Sequence, residues 1–254
     1  MLLDRGWHKF PMSQDRRRWA EVAHEKALAI SRDPEQIKKW VQCEGTWFVG
    51  VEALATDATG ALGSMNLDTE LADFIASYDI APMPAAQLSI IYPDYPKPRA
   101  GDSDAAFRYR RDRDAAHVDG LHAIGTPKRR FLKEAHAFVL GVPLNTADEK
   151  ASPMVVWEGS HIIMQQAFRT ALAGRPVDQW PHIDLTETYI KARKTVFDAC
   201  ERVIVHAHVG EAYAIHPLSV HGVAPWDKDA QAPEEGRMIA YFRPEFKDWS
   251  HWLR

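Results

Sequence analysis

Twelve histidines offer metal ligands, and spacing singles out His117-Val118-Asp119. In an extended segment, side chains two apart share a side. An imidazole and a carboxylate can then converge on one ion, although an H-x-D triplet alone is a weak signal. A second element, GEAYAIHPLSVHG, runs from Gly210 to Gly222. A glycine turn feeds an apolar strand, a short loop follows, and a histidine stands beside a glycine. His216 and His221 are both candidates for a distal imidazole. The proline after His216, and its place inside the strand, favour a structural role for it. The glycine beside His221 favours His221 as the ligand. Two imidazoles and one carboxylate make a facial triad that leaves coordination positions open and suits iron(II) oxygenases.

A third element, GRMIAYFR from Gly236 to Arg243, puts Arg237 at the start of a strand. The guanidinium is a planar fork that pairs bidentately with a carboxylate. At the mouth of a barrel it could hold the far carboxylate of a dicarboxylate co-substrate. Arg243 lies on the same side of a regular strand and is the fallback for that role.

In order, His117/Asp119, Gly159-Ser160-His161, Gly210 to Gly222 and Arg237 resemble the phytanoyl-CoA dioxygenase branch of the iron(II)/2-oxoglutarate-dependent oxygenases. The resemblance covers roughly residues 87–243, with a weakly matching helical N-terminus. It implies a double-stranded β-helix (jelly-roll) core. It implies iron(II) on His117, Asp119 and His221, and Arg237 on the C5 carboxylate of 2-oxoglutarate. It further implies use of dioxygen, with release of succinate and carbon dioxide. Related halogenases carry a small residue in place of the metal-binding carboxylate. Asp119 is present, so hydroxylation or desaturation of a small molecule is expected. The stretch from His221 to Arg237 is longer than is usual in the family, and Pro225 to Glu235 reads as a loop insertion.

The elements that must position these residues follow from periodicity and turn signals. Residues 12–42 read helical, with a break from Ser31 to Pro34, and Asp68 to Tyr78 is a further helix. From residue 86 the texture is β-rich. Strands are expected at Gln87–Tyr92, Ala105–Arg110, Ala135–Leu144, Pro153–Trp157, Arg202–Ala207, Ala212–His216 and Met238–Phe242. Residues 162–200 read as a helical insertion, clearest over Ile190–Phe197. Helices and strands do not alternate, which disfavours a parallel α/β fold. The pattern predicts one domain over residues 1–254, mainly β with added helices. Residues 1–85 would be a mostly helical decoration and 86–246 the core.

Composition sets the outer bounds. A net charge of -4 does not suggest general nucleic-acid binding, which usually shows as a basic face. No apolar run approaches the roughly 20 residues of a membrane span. The charged stretch from Met1 to Trp19 lacks the apolar core of a secretory signal. Cys43 and Cys200 form no C-x-x-C pair. A soluble, cytoplasmic protein, monomer or homodimer, is expected.

Two alternatives compete. His206-Ala207-His208 with nearby Glu211 resembles a cupin-type metal motif, but lacks the expected upstream glycine and has too short a His-to-Glu gap. A non-catalytic jelly-roll binding protein is the other, against which stand both the triad and the arginine. His122 lies close enough to line a pocket, His136 reads as a non-ligand, and His161 as an accessory or structural residue. The run Arg108 to Asp114 is either a solvated face or, through Arg111 and Arg113, a rim that meets an anionic substrate.

Overall fold

A computed structural model describes residues 2–254, the side chain of residue 3 excepted. The N-terminal part opens with α1 (Leu2–Arg5) and β1 (Trp7–Phe10). Ser13 then caps α2 (Gln14–Arg32) by accepting from the Arg16 amide. Asp33 ends that helix and caps the next, α3 (Pro34–Trp40), with Pro34 in its first turn. The chain continues through β2 (Val41–Gln42) and β3 (Trp47–Leu54) to α4 (Thr69–Ala76). Arg16 is fully buried on α2 and pairs with Asp68, the N-cap of α4, at 2.7 Å. One ion pair thus ties two helices at their starts.

Twelve further segments matter less individually than in their pairing. β4 (Ala86–Ile91) leads to α5 (Asp104–Asp112) and the hairpin β5 (Leu121–Ile124)–β6 (Arg129–Leu132). β7 (Val139–Pro143) and β8 (Met154–Trp157) precede α6 (Ser160–Leu172) and α7 (Thr186–Ala199). β9 (Arg202–Val205), β10 (Ala212–Ile215), β11 (His221–Val223) and β12 (Arg237–Phe242) complete the series. A seven-stranded antiparallel sheet has the order β1-β10-β7-β12-β4-β3-β2, and a three-stranded one the order β11-β8-β9.

Alternation sorts each strand's side chains between two cores. On β12, Met238, Ala240 and Phe242 face the helices, where Trp19, Ala20 and Ala23 of α2 cover them. The Trp19 and Phe242 rings meet at 5.9 Å, a pairing that adds about 0.5–1.5 kcal/mol to simple burial. Ile239 and Tyr241 point the other way, into a second core with Val139, Tyr213, Met154 and Val205. The small sheet therefore packs face to face on the large one. Its other face is covered by α6 and α7 through Val155, Trp157, Phe168 and Val196. Gly141 is required here, because a Cβ would sit 2.5 Å from the Tyr213 ring.

Two expectations are corrected. Ala105–Arg110 is not a strand but the body of α5, because Ser103 accepts from the Ala106 amide and caps a helix. Residues 1–85 are more than helical decoration, since β1, β2 and β3 form both edges of the large sheet. β1 is short and mixed in polarity, as an edge strand can be, and β3 is broken by an irregularity between Gly50 and Leu54. Those features hide both from a periodicity reading. The other expected strands and helices lie within four residues of the observed ones, while the hairpin β5–β6 and the strand β11 were not foreseen. No helix among the described residues is long and apolar enough to cross a membrane.

Candidate metal centre

The H-x-D segment is held against β11 by a single two-way bridge. The His117 amide donates to the His221 carbonyl at 2.8 Å and the His221 amide returns to the His117 carbonyl at 2.9 Å. The two imidazoles therefore start from paired backbone positions, with ring centroids 4.7 Å apart. Each is then oriented through Nδ1. His117 Nδ1 lies 2.9 Å from the Ala115 carbonyl, and His221 Nδ1 lies 2.9 Å from the Ser219 carbonyl. A carbonyl can only accept, so each Nδ1 carries the proton and each Nε2 lone pair is left free.

Both free nitrogens face Asp119. Its Oδ1 is 3.1 Å from His117 Nε2 and 3.8 Å from His221 Nε2. Ligand atoms of the three residues all fall within 4.8 Å of one another. Among the described residues this is the one cluster of three or more such groups. Burial pushes the Asp119 pKa up, but the adjoining His117 ring and the charge of Arg243 outweigh it and hold it well below the usual range. Burial, with the charge of His117, lowers His221 to about 4. At neutral pH the site thus offers an ionised carboxylate and a neutral distal imidazole, the states a metal ion needs.

The strain of the approach is absorbed just upstream. Asp114 and Ala115 both have left-handed backbone, with φ of 54° and 53°, a conformation costly for non-glycine residues. Asp114 is fixed by a bidentate pair with Arg202 of β9, at 2.7 and 2.9 Å. Its carbonyl accepts from the Val223 amide at 3.0 Å. Gly222 permits this contact, because a Cβ there would lie 2.1 Å from the Asp114 oxygen. The glycine beside His221 was legible in the sequence. Asp114 and Arg202 as its clamps were not, because they lie on separate elements.

The two arginines of β12 and its end differ sharply. Arg243 sits 3.5 Å from Asp119 Oδ2 and donates to Gln87. Arg237 is 4% exposed, and its Nε and Nη2 have no hydrogen-bond partner. It lies beside Tyr213, whose hydroxyl is bonded to that of Tyr241 at 2.7 Å. A buried guanidinium with two unused donors is costly on its own and fits an anion that supplies two acceptors.

Two chambers meet at the triad. One, the inner chamber, of about 310 Å³, is lined by Trp47, Val49, Tyr95, Met154, Tyr241 and the three residues of the triad. The other, the outer chamber, of about 420 Å³, is lined by Tyr109, Arg110, Arg130, Arg193 and Glu134 as well as His117 and Asp119. Arg243 borders both.

The remaining candidates lie outside the triad. His216 packs on His161 at 4.9 Å and accepts from the Leu218 amide, and burial lowers it to about 3. His206 is spent on the Ala147 carbonyl at 2.9 Å, and the His208 amide on Glu211. The cupin-type grouping therefore does not assemble. His122 and His136 both bond Glu134, at 3.0 and 3.2 Å, and the His136 bond leads in lowering that acid to about 2. Arg111 is exposed and paired with Asp112, while Arg113 lies over the Phe197 ring. Neither lines a chamber at the triad, which corrects the expectation of a rim built on them.

No family model matches the chain, and no curated protein matches it in sequence. Solved structures do match in fold. Among them is AviO1 from Streptomyces viridochromogenes Tue57, with a TM-score of 0.51 and 15% identity over 96% of this chain and 91% of that one. EctD from S. alaskensis, solved with bound Fe, gives 0.51 and 12% identity over 96% of this chain and 74% of that one. The non-heme alpha ketoglutarate dependent carbocyclase SnoK from nogalamycin biosynthesis gives 0.50 and 12% over 96% and 81%. At these identities the likeness establishes a shared fold.

Proposed function

We propose that the chain is an iron(II)- and 2-oxoglutarate-dependent oxygenase with a jelly-roll core, acting on a small molecule by hydroxylation or desaturation. The observation that carries this reading is the orientation of the triad. His117 and His221 are turned by their Nδ1 bonds so that both Nε2 atoms meet one Asp119 oxygen. The fold likeness to an alpha ketoglutarate dependent carbocyclase and to a protein solved with Fe supports it, as does the resemblance to the phytanoyl-CoA dioxygenase branch.

His117, Asp119 and His221 would hold the iron, and Arg237 the far carboxylate of 2-oxoglutarate. Bound iron with 2-oxoglutarate and dioxygen supplies C–H oxidation, coupled to release of succinate and carbon dioxide. This chain's residues do the rest. The Ala115 and Ser219 carbonyls fix the imidazoles, and Arg243 fixes the free oxygen of Asp119. Trp47, Val49, Met154 and Tyr241 wall the inner chamber and give it an apolar lining.

With iron(II), ascorbate and 2-oxoglutarate, the protein is expected to form succinate, slowly without a substrate and faster with one. Succinate counted by chromatography should vanish when iron is chelated. Succinate formation that is unchanged by chelation, or none at all in iron-loaded protein, contradicts the assignment.

A further inference from the structure

The outer chamber carries a charge that the triad does not use. Its lining includes the guanidiniums of Arg110, Arg130, Arg193 and Arg243 against the carboxylates of Asp119 and Glu134. Both acids are already engaged, Asp119 by the triad and Arg243, and Glu134 by His122 and His136. Arg110 is neutralised by Asp102. Arg130 and Arg193 have no carboxylate partner among the described residues. Arg130 donates to the Leu121 carbonyl at 3.1 Å and Arg193 to the Tyr189 hydroxyl at 3.2 Å, both neutral acceptors.

Their placement is fixed rather than loose. The Arg130 guanidinium lies 4.8 Å from the Tyr189 ring centre. Arg193 stacks at 4.8 Å on the same ring and at 4.7 Å on Tyr109. Tyr109 is locked in turn by a 2.7 Å bond to the Ala116 carbonyl, one residue before His117. Cation–π stacking orients the planar forks while leaving donors unspent. Two half-buried arginines, pre-oriented and without counter-ions, therefore face the chamber that His117 and Asp119 border.

We propose that this chamber binds the organic substrate through an anionic group, a carboxylate or a phosphate, held by Arg130 and Arg193. The site is distinct from Arg237, which is buried beside Tyr213 and does not line this chamber. The proposal names the substrate class for the oxygenase reading and rests on that reading for the word substrate. The anion site itself stands on the arginines alone.

The test is a calorimetric titration of the protein with phenylacetate, phenyl phosphate and the neutral 2-phenylethanol, each with and without iron(II) and 2-oxoglutarate. At least one anion is expected to bind about tenfold or more tightly than the alcohol. Which anion wins distinguishes a carboxylate from a phosphate substrate. Arg130→Gln and Arg193→Gln should each weaken the preferred anion about tenfold and leave iron content unchanged. Arg111→Gln should change neither. The comparison of charged with neutral probes needs no variant, so it stands even if a substitution impairs folding. Equal binding of the alcohol and both anions overturns the proposal, as does parental anion affinity in folded Arg130→Gln and Arg193→Gln. Anion binding without iron retention would instead sink the oxygenase reading and leave the anion site intact.

Discussion

Replacing Asp119 with alanine is expected to strip the protein of iron(II) while leaving it folded. Asp119 supplies the one oxygen that both Nε2 atoms approach, at 3.1 and 3.8 Å. Its removal leaves two imidazoles and no anionic ligand. Loss of an outer hydrogen-bonding partner typically costs about 10–100-fold in metal affinity, so loss of the ligand itself should cost more. His221→Ala should behave alike. His216→Asn should keep parental iron, because His216 stacks on His161 instead. Metal content after anaerobic reconstitution and desalting reads all three. Parental iron in Asp119→Ala and His221→Ala would mean that the ion lies elsewhere.

Arg237→Met is expected to weaken 2-oxoglutarate and, at the same time, to stabilise the ligand-free protein. The first effect follows from losing two charge-assisted hydrogen bonds, on the order of 3 kcal/mol or about a hundredfold in affinity. The second follows from burial. Nε and Nη2 of Arg237 are enclosed without a partner, and a buried unsatisfied donor costs about 1–3 kcal/mol. Methionine fills similar space without that penalty. Arg243→Met should show the reverse pattern. It loses the Gln87 bond and the neighbour of Asp119, so ligand-free stability falls and most 2-oxoglutarate affinity remains. Thermal melts of iron-loaded protein under nitrogen, with and without 2-oxoglutarate, separate the two. Loss of the 2-oxoglutarate-induced shift in Arg243→Met alone would transfer the anchoring role to Arg243.

The contrast between these arginines shows where sequence reasoning stops. Strand alternation puts both on one side of β12, but only packing reveals that one is spent on Gln87 and Asp119 and the other is unsatisfied. The triad was legible because its chemistry is local: an i, i+2 pair and a histidine before a glycine. His221 was preferred to His216 in the sequence for its glycine neighbour, and the backbone bridge between His117 and His221 explains it. The helix α5 was misread because Ala105–Arg110 alternates in polarity, while its identity is set by the Ser103 cap. β3 was missed, yet its Trp47, Val49 and Val51 wall the inner chamber. Arg130 and Arg193 come from β6 and α7 and meet through Tyr189. No sequence spacing encodes that meeting, and the basic run beside His117 drew attention to Arg111 and Arg113 instead.

The central claim is that one site binds iron and 2-oxoglutarate together. Anaerobic calorimetric titration of 2-oxoglutarate into protein with and without iron(II) tests it most directly. The account predicts one 2-oxoglutarate per iron, bound at least about tenfold more tightly when the metal is present, with that gain lost in Asp119→Ala. Affinity that is the same with and without iron(II), or a gain that survives in Asp119→Ala, would contradict it.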